Sequence, residues 1–253
     1  MKTVILAGGL GTRISEESLA KPKPLIEIGK MPVLWHIMKI YSSQGINDFI
    51  ICLGYKGDMI KEYFVNHFKT SDAALNIKKD TMIIHGNQAE PWKITLVDTG
   101  LNTMTGGRLK KIKNYVENET FCFAYGDDLK KVNIQELINY HKSKKALATM
   151  TIFQQPERFG IVTLENDKVQ SVKEKPGDRY WVNGGYFVLE PGVFDYIKDD
   201  SIIWEQEPLE KLAQDGKLFA YKYTGSYQPM DTLYDKNRLE ELWNNGKAYW
   251  KTW

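Results

Sequence analysis

A chain of 253 residues, 42% hydrophobic and 26% charged, has an ordinary globular composition and is long enough to bury a large core. Its formal net charge of +2 gives no support for a nucleic-acid or membrane partner. No apolar run approaches the roughly 18 residues of a membrane span, and Met1-Lys2 lead directly into a predicted strand rather than a signal peptide. A cytoplasmic enzyme fits these features.

The cysteines and histidines show no metal-binding pattern. Cys52 and Cys122 lie inside apolar, strand-like runs, which favours buried thiols over a disulfide or a metal site. No two of the four histidines have the spacing of paired metal ligands, so each is interpreted as a surface or core residue: His36, His67, His85 and His141.

The first 68 residues alternate strand and helix. Apolar patterns predict strands at Thr3–Ala7 and Asp48–Leu53, and helices at Val33–Ser43 and Gly57–Phe68. This alternation predicts an α/β fold with a doubly wound, mainly parallel, Rossmann-like sheet.

The alternation lapses near 69–92, which we interpret as an insertion containing a strand, Thr81–His85, within a hairpin. A subunit contact and a plain surface excursion are equally good explanations of it. Strands at Lys93–Val97 and Phe121–Tyr125 resume the sheet. The predicted helices run from Gly106 to about Val116 and from Ile134 to Lys144, the second with Asn133 as its N-cap.

From Ala148 onward the sequence favours strands. Residues 160–164 and 168–172 flank a turn and predict a hairpin. The remaining predicted elements are the strands Ala148–Phe153, Tyr186–Leu189 and Leu218–Tyr223, a helix Pro208–Gln214, and a final helix that starts at Thr232. This pattern adds a β-rich portion to the α/β fold.

The loop after the first strand, Gly8–Arg13, has features of a phosphate site. Its three glycines let the backbone approach a ligand and present N–H groups to an anion. Lys23 lies ten residues beyond Arg13, between two prolines that stiffen the chain. The spacing matches neither a P-loop nor a complete dinucleotide fingerprint. Spacing alone therefore favours a polyphosphate site over a simple βα turn.

Polar or glycine-rich residues also follow three other predicted strands, at Gly54, Thr99-Gly100 and Gly126-Asp127. Ligands of open α/β sheets bind beyond the carboxyl ends of the strands, so the convergence of these ends predicts a site there. Asp127 taken alone is more often a turn or N-cap residue than a ligand.

The string LAGGLGTR, followed by Lys21-Pro22-Lys23-Pro24-Leu25, resembles the signature of the sugar-1-phosphate nucleotidylyltransferases. Glu16-Glu17 depart from the proline and threonine of many members and resemble the glucose-1-phosphate cytidylyltransferase branch. The resemblance runs nearly end to end. It implies a nucleotide-diphospho-sugar transferase fold in one domain, 1–253, with residues 1–145 mainly binding nucleotide and residues 146–253 mainly binding sugar phosphate and ending in the last helix.

The resemblance also assigns site residues. It implies a Mg²⁺ site at Asp127 and Asp231, and catalytic roles for these two residues with Lys23 and Arg13. Asp231 could instead be an N-cap, and Arg108 a solvated helix-start residue. The implied nucleotide-binding residues are Leu6, Ala7, Gly8, Gly9, Leu10, Gly11, Thr12, Arg13, Lys23, Thr105, Arg108 and Gly126.

On the sugar-phosphate side the resemblance implies Glu174, Lys175, Asn183 and Gly184. A Glu-Lys pair normally lies on a solvent-exposed surface. When Pro176 fixes the backbone after it, the carboxylate can instead bind sugar hydroxyls and the ammonium can bind the sugar phosphate. The run Trp204–Pro208 matches the branch and suggests no role beyond a sugar or subunit contact.

The implied reaction joins CTP and α-D-glucose 1-phosphate to give CDP-glucose and pyrophosphate, in a homo-oligomer that is hexameric by resemblance. Two alternatives remain open. One is a related transferase that uses UTP or dTTP. The other is a non-catalytic nucleotide-sensing subunit, which should have lost Lys23 or one of the two aspartates.

Overall fold

The computed structural model describes residues 1–68, 75–78, 81–85, 90–116, 118–156, 161–173 and 179–253. The strands are β1 Lys2–Leu6, β2 Glu27–Ile28, β3 Met31–Pro32, β4 Asp48–Leu53, β5 Leu75–Lys78, β6 Thr81–His85, β7 Lys93–Asp98, β8 Phe121–Tyr125, β9 Asp128–Lys130, β10 Ala148–Pro156, β11 Ile161–Glu165, β12 Lys168–Lys173, β13 Arg179–Leu189, β14 Leu218–Lys222 and β15 Tyr227–Pro229. The α-helices are α1 Ser15–Ser18, α2 Val33–Ser42, α3 Gly57–Phe68, α4 Thr105–Lys111, α5 Ile134–Lys144, α6 Glu207–Gln214 and α7 Leu233–Asn244. Short 3₁₀ turns lie at Thr12–Ile14, Lys23–Leu25, Lys113–Tyr115 and Pro191–Tyr196.

In the described part of the chain, nine strands form one sheet in the order β14-β10-β13-β8-β1-β4-β7-β6-β5. The four central strands, β8, β1, β4 and β7, are parallel. Of the other strands only β13 and β6 run against this direction. The sheet confirms the prediction of an α/β fold built on a mainly parallel sheet.

Both faces of the central sheet are covered. Val4 and Ile5 are neighbours on β1, and both are fully buried, yet they belong to different hydrophobic clusters. Successive side chains of a strand point to opposite faces, so each face has its own core. Helix α2 contributes Ile37 to one core, and α4 contributes Leu109 to the other. Burial on both faces explains why the central strands are continuous apolar runs.

Most predicted elements agree with the structure to within a few residues. Asn133 caps α5 through its side chain, as predicted, and both cysteines are free and buried. The helix predicted to reach about Val116 ends at Lys111 and is followed by a 3₁₀ turn. Asn183-Gly184-Gly185 were expected to precede a strand, but they lie within β13.

The predicted hairpin near 69–92 is present as β5 and β6, which extend the sheet beyond β7. The rest of that predicted insertion lies partly outside the described residues. Within the part of the chain that is described, no helix is long and apolar enough to cross a membrane. The division into a nucleotide half and a sugar half stays a prediction.

A two-stranded sheet of β9 and β15, which the sequence analysis missed, determines where the last part of the chain lies. The strands are antiparallel, and Pro229 pairs with Asp128. This register places Asp231, two residues beyond Pro229, beside Asp127. The small sheet therefore brings together two carboxylates that are far apart in the sequence.

Candidate active site

A cleft of about 750 Å³ opens at the carboxyl ends of β1 and β8. Its walls contain every residue predicted to bind nucleotide and one of the two predicted metal ligands, Asp127. The lining residues are Leu6, Ala7, Gly8, Gly9, Leu10, Gly11, Thr12, Arg13, Lys23, Pro24, Leu101, Asn102, Thr103, Met104, Thr105, Arg108, Tyr125, Gly126, Asp127 and Glu205.

The glycine loop is held from beneath by the first short helix. Gly11 has φ +67°, the left-handed region that glycine tolerates best. The Ser18 hydroxyl donates to the Gly11 carbonyl at 2.9 Å. A Cβ at Gly11 would lie 3.0 Å from the Ser18 Cβ and 3.3 Å from the Lys23 Cβ. Glycine therefore lets the loop close over Lys23.

Four charged side chains form one cluster, and three of them, Arg13, Lys23 and Asp127, line the cleft. Lys23 Nζ donates to Asp127 Oδ2 at 2.6 Å and to Asp231 Oδ1 at 2.9 Å. Arg13 Nη1 donates to the other oxygen of Asp231, Oδ2, at 2.7 Å. The structure thus brings together the four residues predicted to be catalytic, from positions up to 218 residues apart.

Lys23 is the buried member of this cluster. Its side chain is 9% exposed, against 27% for Asp127 and 30% for Asp231. Burial works against the charged ammonium, but Asp127 and then Asp231 outweigh it and raise the pKa of Lys23 above its usual value. Lys23 is therefore a fixed cation in the cleft.

Asp231 does not cap the last helix. The N-cap of α7 is Thr232, whose side chain accepts from the Asp235 N–H, while the Asp235 carboxylate accepts from the Thr232 N–H. This capping box leaves the Asp231 carboxylate available to Arg13 and Lys23. The N-cap alternative for Asp231 is wrong.

Arg108 is not a solvated helix-start residue. It is 4% exposed, and burial lowers its pKa from the ordinary value. The guanidinium donates to five oxygens on the carboxyl ends of three parallel strands and the loop after β7. They are the carbonyls of Gly8, Leu53, Gly100 and Leu101 and the hydroxyl of Thr99, at 2.7–3.2 Å.

Glycines make room for this guanidinium. A Cβ would lie 2.3 Å from Arg108 Nη1 at Gly8 and 2.4 Å from it at Gly54. Arg108 therefore fixes the start of the glycine loop from behind. A direct contact between Arg108 and a nucleotide stays a prediction.

The predicted sugar-side residues divide into two groups. Glu174 and Lys175 lie outside the described residues. Asn183 lies on β13 and donates from Nδ2 to the Tyr125 hydroxyl at 3.2 Å, and Tyr125 lines the cleft. A Cβ at Gly184 would lie 2.5 Å from Thr151 Oγ1, so this glycine accommodates the neighbouring strand β10.

Comparison with known proteins identifies the family. The family described as "Nucleotidyl transferase" matches residues 2–250. The chain belongs to that family. It is 54% identical to the glucose-1-phosphate cytidylyltransferase of Salmonella typhi, over the full length of both chains. It is 44% identical to a probable glucose-1-phosphate cytidylyltransferase of Bacillus subtilis, again over both full lengths. The predicted resemblance to this branch is confirmed.

A solved structure agrees on the fold of this nucleotidyltransferase. A putative glucose-1-phosphate thymidylyltransferase from Bacillus anthracis superimposes with a TM-score of 0.71, covering 96% of this chain and 94% of that one. The two sequences are 20% identical, so the likeness shows the fold alone. It confirms the predicted nucleotide-diphospho-sugar transferase type of sheet.

Nucleotidyltransferases of this family generally use a divalent metal ion. In this chain Asp127 and Asp231 both hydrogen-bond to one ammonium, so two carboxylates from different parts of the chain face the same small volume. Across the described residues, no group of three or more His, Cys, Asp or Glu forms a metal cluster. Two carboxylates that leave positions for substrate phosphates and water fit a hard divalent cation.

Two features of the site were not located by the sequence analysis, which named Glu205 only within the run Trp204–Pro208 and did not name Lys130. Glu205 lines the cleft and accepts from the Thr105 hydroxyl at 2.6 Å. Behind Asp127, the fully buried Lys130 ammonium donates to Asp128 Oδ2 at 3.0 Å and lies 4.5 Å and 4.8 Å from the ring centroids of Tyr186 and Tyr227. This second ion pair supports the turn that carries Asp127.

Proposed function

We propose that this nucleotidyltransferase transfers a cytidylyl group from CTP to α-D-glucose 1-phosphate, giving CDP-glucose and pyrophosphate, with Mg²⁺ as its metal ion. The observation that carries the proposal is the Lys23–Asp127–Asp231 cluster beneath a glycine loop. The full-length likeness to glucose-1-phosphate cytidylyltransferases supports the choice of substrates.

The chemistry follows from the charges of the two substrates. A phosphate monoester has a second pKa of about 6, so the sugar phosphate is largely a dianion at pH 7 and needs no general base. In the described part of the chain, no histidine lines the cleft, which agrees with this chemistry. The difficulty is that a dianion must approach a polyanionic triphosphate.

The residues of the cleft are suited to offset that repulsion. Loop N–H groups of Gly8–Thr12 bind the phosphates, and Lys23 and Arg13 neutralise the charge that develops on the α-phosphate and on departing pyrophosphate. Asp127 and Asp231 would hold Mg²⁺, which neutralises phosphate charge when it is bound. Arg108 keeps the loop in place while the sugar phosphate attacks the α-phosphorus in line.

The sugar phosphate lies on the other side of the cleft in this proposal. Asn183 and Gly184 face it from β13, and Glu174 and Lys175 bind its hydroxyls and phosphate, as the resemblance implies. The chain is further proposed to work as a homo-oligomer in the cytoplasm.

The test is pyrophosphate release from glucose 1-phosphate and Mg²⁺ with CTP, UTP, dTTP and ATP in turn. We expect CTP to be the best donor. If UTP or dTTP were the better donor, the proposed nucleotide substrate would be wrong, but the proposed reaction class would stand. No release with any nucleotide, at concentrations where nucleotide binding is saturated, would favour a nucleotide-sensing subunit.

A further inference from the structure

Glu205 is a carboxylate in the cleft for which the reaction described above has no use. It belongs to the exposed part of the chain just before α6, yet it lines the cleft together with Thr105 and Tyr125. We propose that the Glu205 carboxylate accepts a hydrogen bond from a hydroxyl group of the sugar phosphate and thereby helps to select the sugar. The proposal rests on the proposed function.

The first argument is that Glu205 is held in place. Trp204 is fully buried, and its backbone N–H donates to Thr105 Oγ1 at 2.9 Å. The same hydroxyl donates to Glu205 Oε2 at 2.6 Å. The Thr105 hydroxyl accepts from the Trp204 N–H and donates to the Glu205 carboxylate, so it fixes the backbone before Glu205 as well as its side chain.

The segment that carries Glu205 is also pinned to the start of α4. The N–H groups of Gly106 and Gly107 both donate to the Ile202 carbonyl, at 2.9 Å and 3.2 Å. A Cβ at Gly107 would lie 2.5 Å from the Asp200 carbonyl oxygen, so the two backbones touch. This close packing keeps Glu205 at a constant position in the cleft wall, as a residue that selects a ligand must be.

The second argument is the charge of Glu205. In the described part of the chain, no lysine, arginine or histidine forms a salt bridge with Glu205. Asp127 and Asp231, by contrast, each form a salt bridge with a cation of the cluster. An ionised carboxylate accepts hydrogen bonds and repels phosphates. Glu205 is therefore suited to an uncharged donor group, and a sugar ring offers several hydroxyls.

The third argument is location. Tyr125 and Glu205 both line the cleft. The Tyr125 hydroxyl accepts from Asn183 on β13. Tyr125 therefore connects the part of the cleft wall that carries Glu205 to Asn183, which is predicted to bind the sugar phosphate, while Lys23 and Arg13 mark the phosphate side. The link to Asn183 supports the sugar. Because Thr105 is predicted to bind nucleotide and contacts Glu205, the amino group of cytosine is the competing donor that the experiment must exclude.

The experiment compares wild type with Glu205→Gln, using glucose 1-phosphate and its 2-, 3-, 4- and 6-deoxy analogues with CTP. Glutamine keeps the size and removes the charge. The amide oxygen of glutamine still accepts a hydrogen bond, but exchanging a charged for a neutral acceptor weakens the bond by about 1–1.5 kcal/mol, or roughly 10-fold in affinity. We therefore expect the KM for glucose 1-phosphate to rise by about that factor while the KM for CTP is unchanged. One deoxy analogue should lower kcat/KM in wild type and cause a smaller loss in the variant.

Glu210→Gln is the matched control, because Glu210 is an exposed carboxylate on α6 that does not line the cleft. It should behave as wild type with every analogue. Unfolding midpoints of both variants separate a sugar contact from loss of structure, and direct titration with glucose 1-phosphate measures binding without turnover.

Two results would overturn the inference. One is a rise in the KM for CTP with loss of the preference for CTP over UTP, which would assign Glu205 to the base. The other is that each deoxy analogue lowers kcat/KM by the same factor in Glu205→Gln as in wild type. Absence of cytidylyl transfer in the wild type would instead refute the proposed function. The binding titration with glucose 1-phosphate then still decides whether Glu205 contacts the sugar.

Discussion

Lys23 hydrogen-bonds to Asp127 and Asp231, the two carboxylates proposed to hold the divalent cation, so removing the lysine charge should have opposite effects on metal binding and turnover. The Lys23 ammonium donates to both carboxylates, at 2.6 Å and 2.9 Å. A hydrogen bond to a charged group contributes about 1.5–3 kcal/mol. Because each carboxylate is more than a quarter exposed, we take the lower end, about 1.5–3 kcal/mol for the two bonds together.

That free energy corresponds to roughly 10- to 100-fold in affinity. Lys23→Met should therefore bind Mg²⁺ about 10- to 100-fold more tightly than wild type in the absence of nucleotide, measured by isothermal titration calorimetry. Turnover should nevertheless fall on the order of 10³-fold, because the variant loses the cation that is proposed to face the transferring phosphate.

Lys21→Met is the matched control for this prediction. Lys21 is two residues away and pairs with Glu27 at 2.8 Å, outside the cleft. It should leave Mg²⁺ affinity unchanged. Unaltered or weaker Mg²⁺ binding by Lys23→Met would refute the idea that the ammonium competes with the metal for these carboxylates.

Three further predictions concern stability. Arg108→Lys should lower the free energy of unfolding by roughly 2–4 kcal/mol in urea, because three ammonium donors cannot serve five acceptors; an unchanged midpoint would contradict the role of Arg108 as a support. Gly8→Ala should lower the melting temperature whereas Gly9→Ala should not, since a Cβ would lie 2.3 Å from Arg108 Nη1 at Gly8 and has no atom within 4 Å at Gly9. Burial lowers the pKa of His36 to about 4, so between pH 6.5 and pH 4 the unfolded chain binds a proton that the folded chain does not. Stability should therefore fall as the pH falls through this window, by up to about 3 kcal/mol for this group. His36→Gln should flatten the slope, and an equal slope in urea titrations of both proteins would be evidence against the assignment.

The parts of the site that depend on local sequence could be predicted. The glycine loop and Lys23 lie within 16 residues of each other, and their residue types already indicate phosphate binding. The buried strands were visible as apolar runs because both faces of the sheet are covered. The start of β13 was predicted wrongly, because the strand begins at Arg179 and runs through Asn183 and two glycines, which are residue types that usually mark a turn.

The parts that depend on long-range contacts could not be predicted from the residues alone. Asp231 precedes a helix and is equally compatible with an N-cap; the β9–β15 pairing and the capping box at Thr232 decide the matter. The acceptors of Arg108 are mostly backbone carbonyls, which every residue type supplies, so no sequence pattern reveals them. Glu205 resembles any acidic residue near a helix start until the fold places it beside Thr105.

The ladder between β8 and β13 has a consequence for how the protein closes on its substrates. β8 leads to Asp127 and β13 carries Asn183, and four residue pairs from Phe121–Leu189 to Ala124–Tyr186 join the two strands. A hinge that moved the two walls apart would have to break these backbone hydrogen bonds. We therefore expect domain rotation to play no part in turnover. Any closure over substrates should come from a short segment at the cleft mouth, such as the turn with the exposed Leu10.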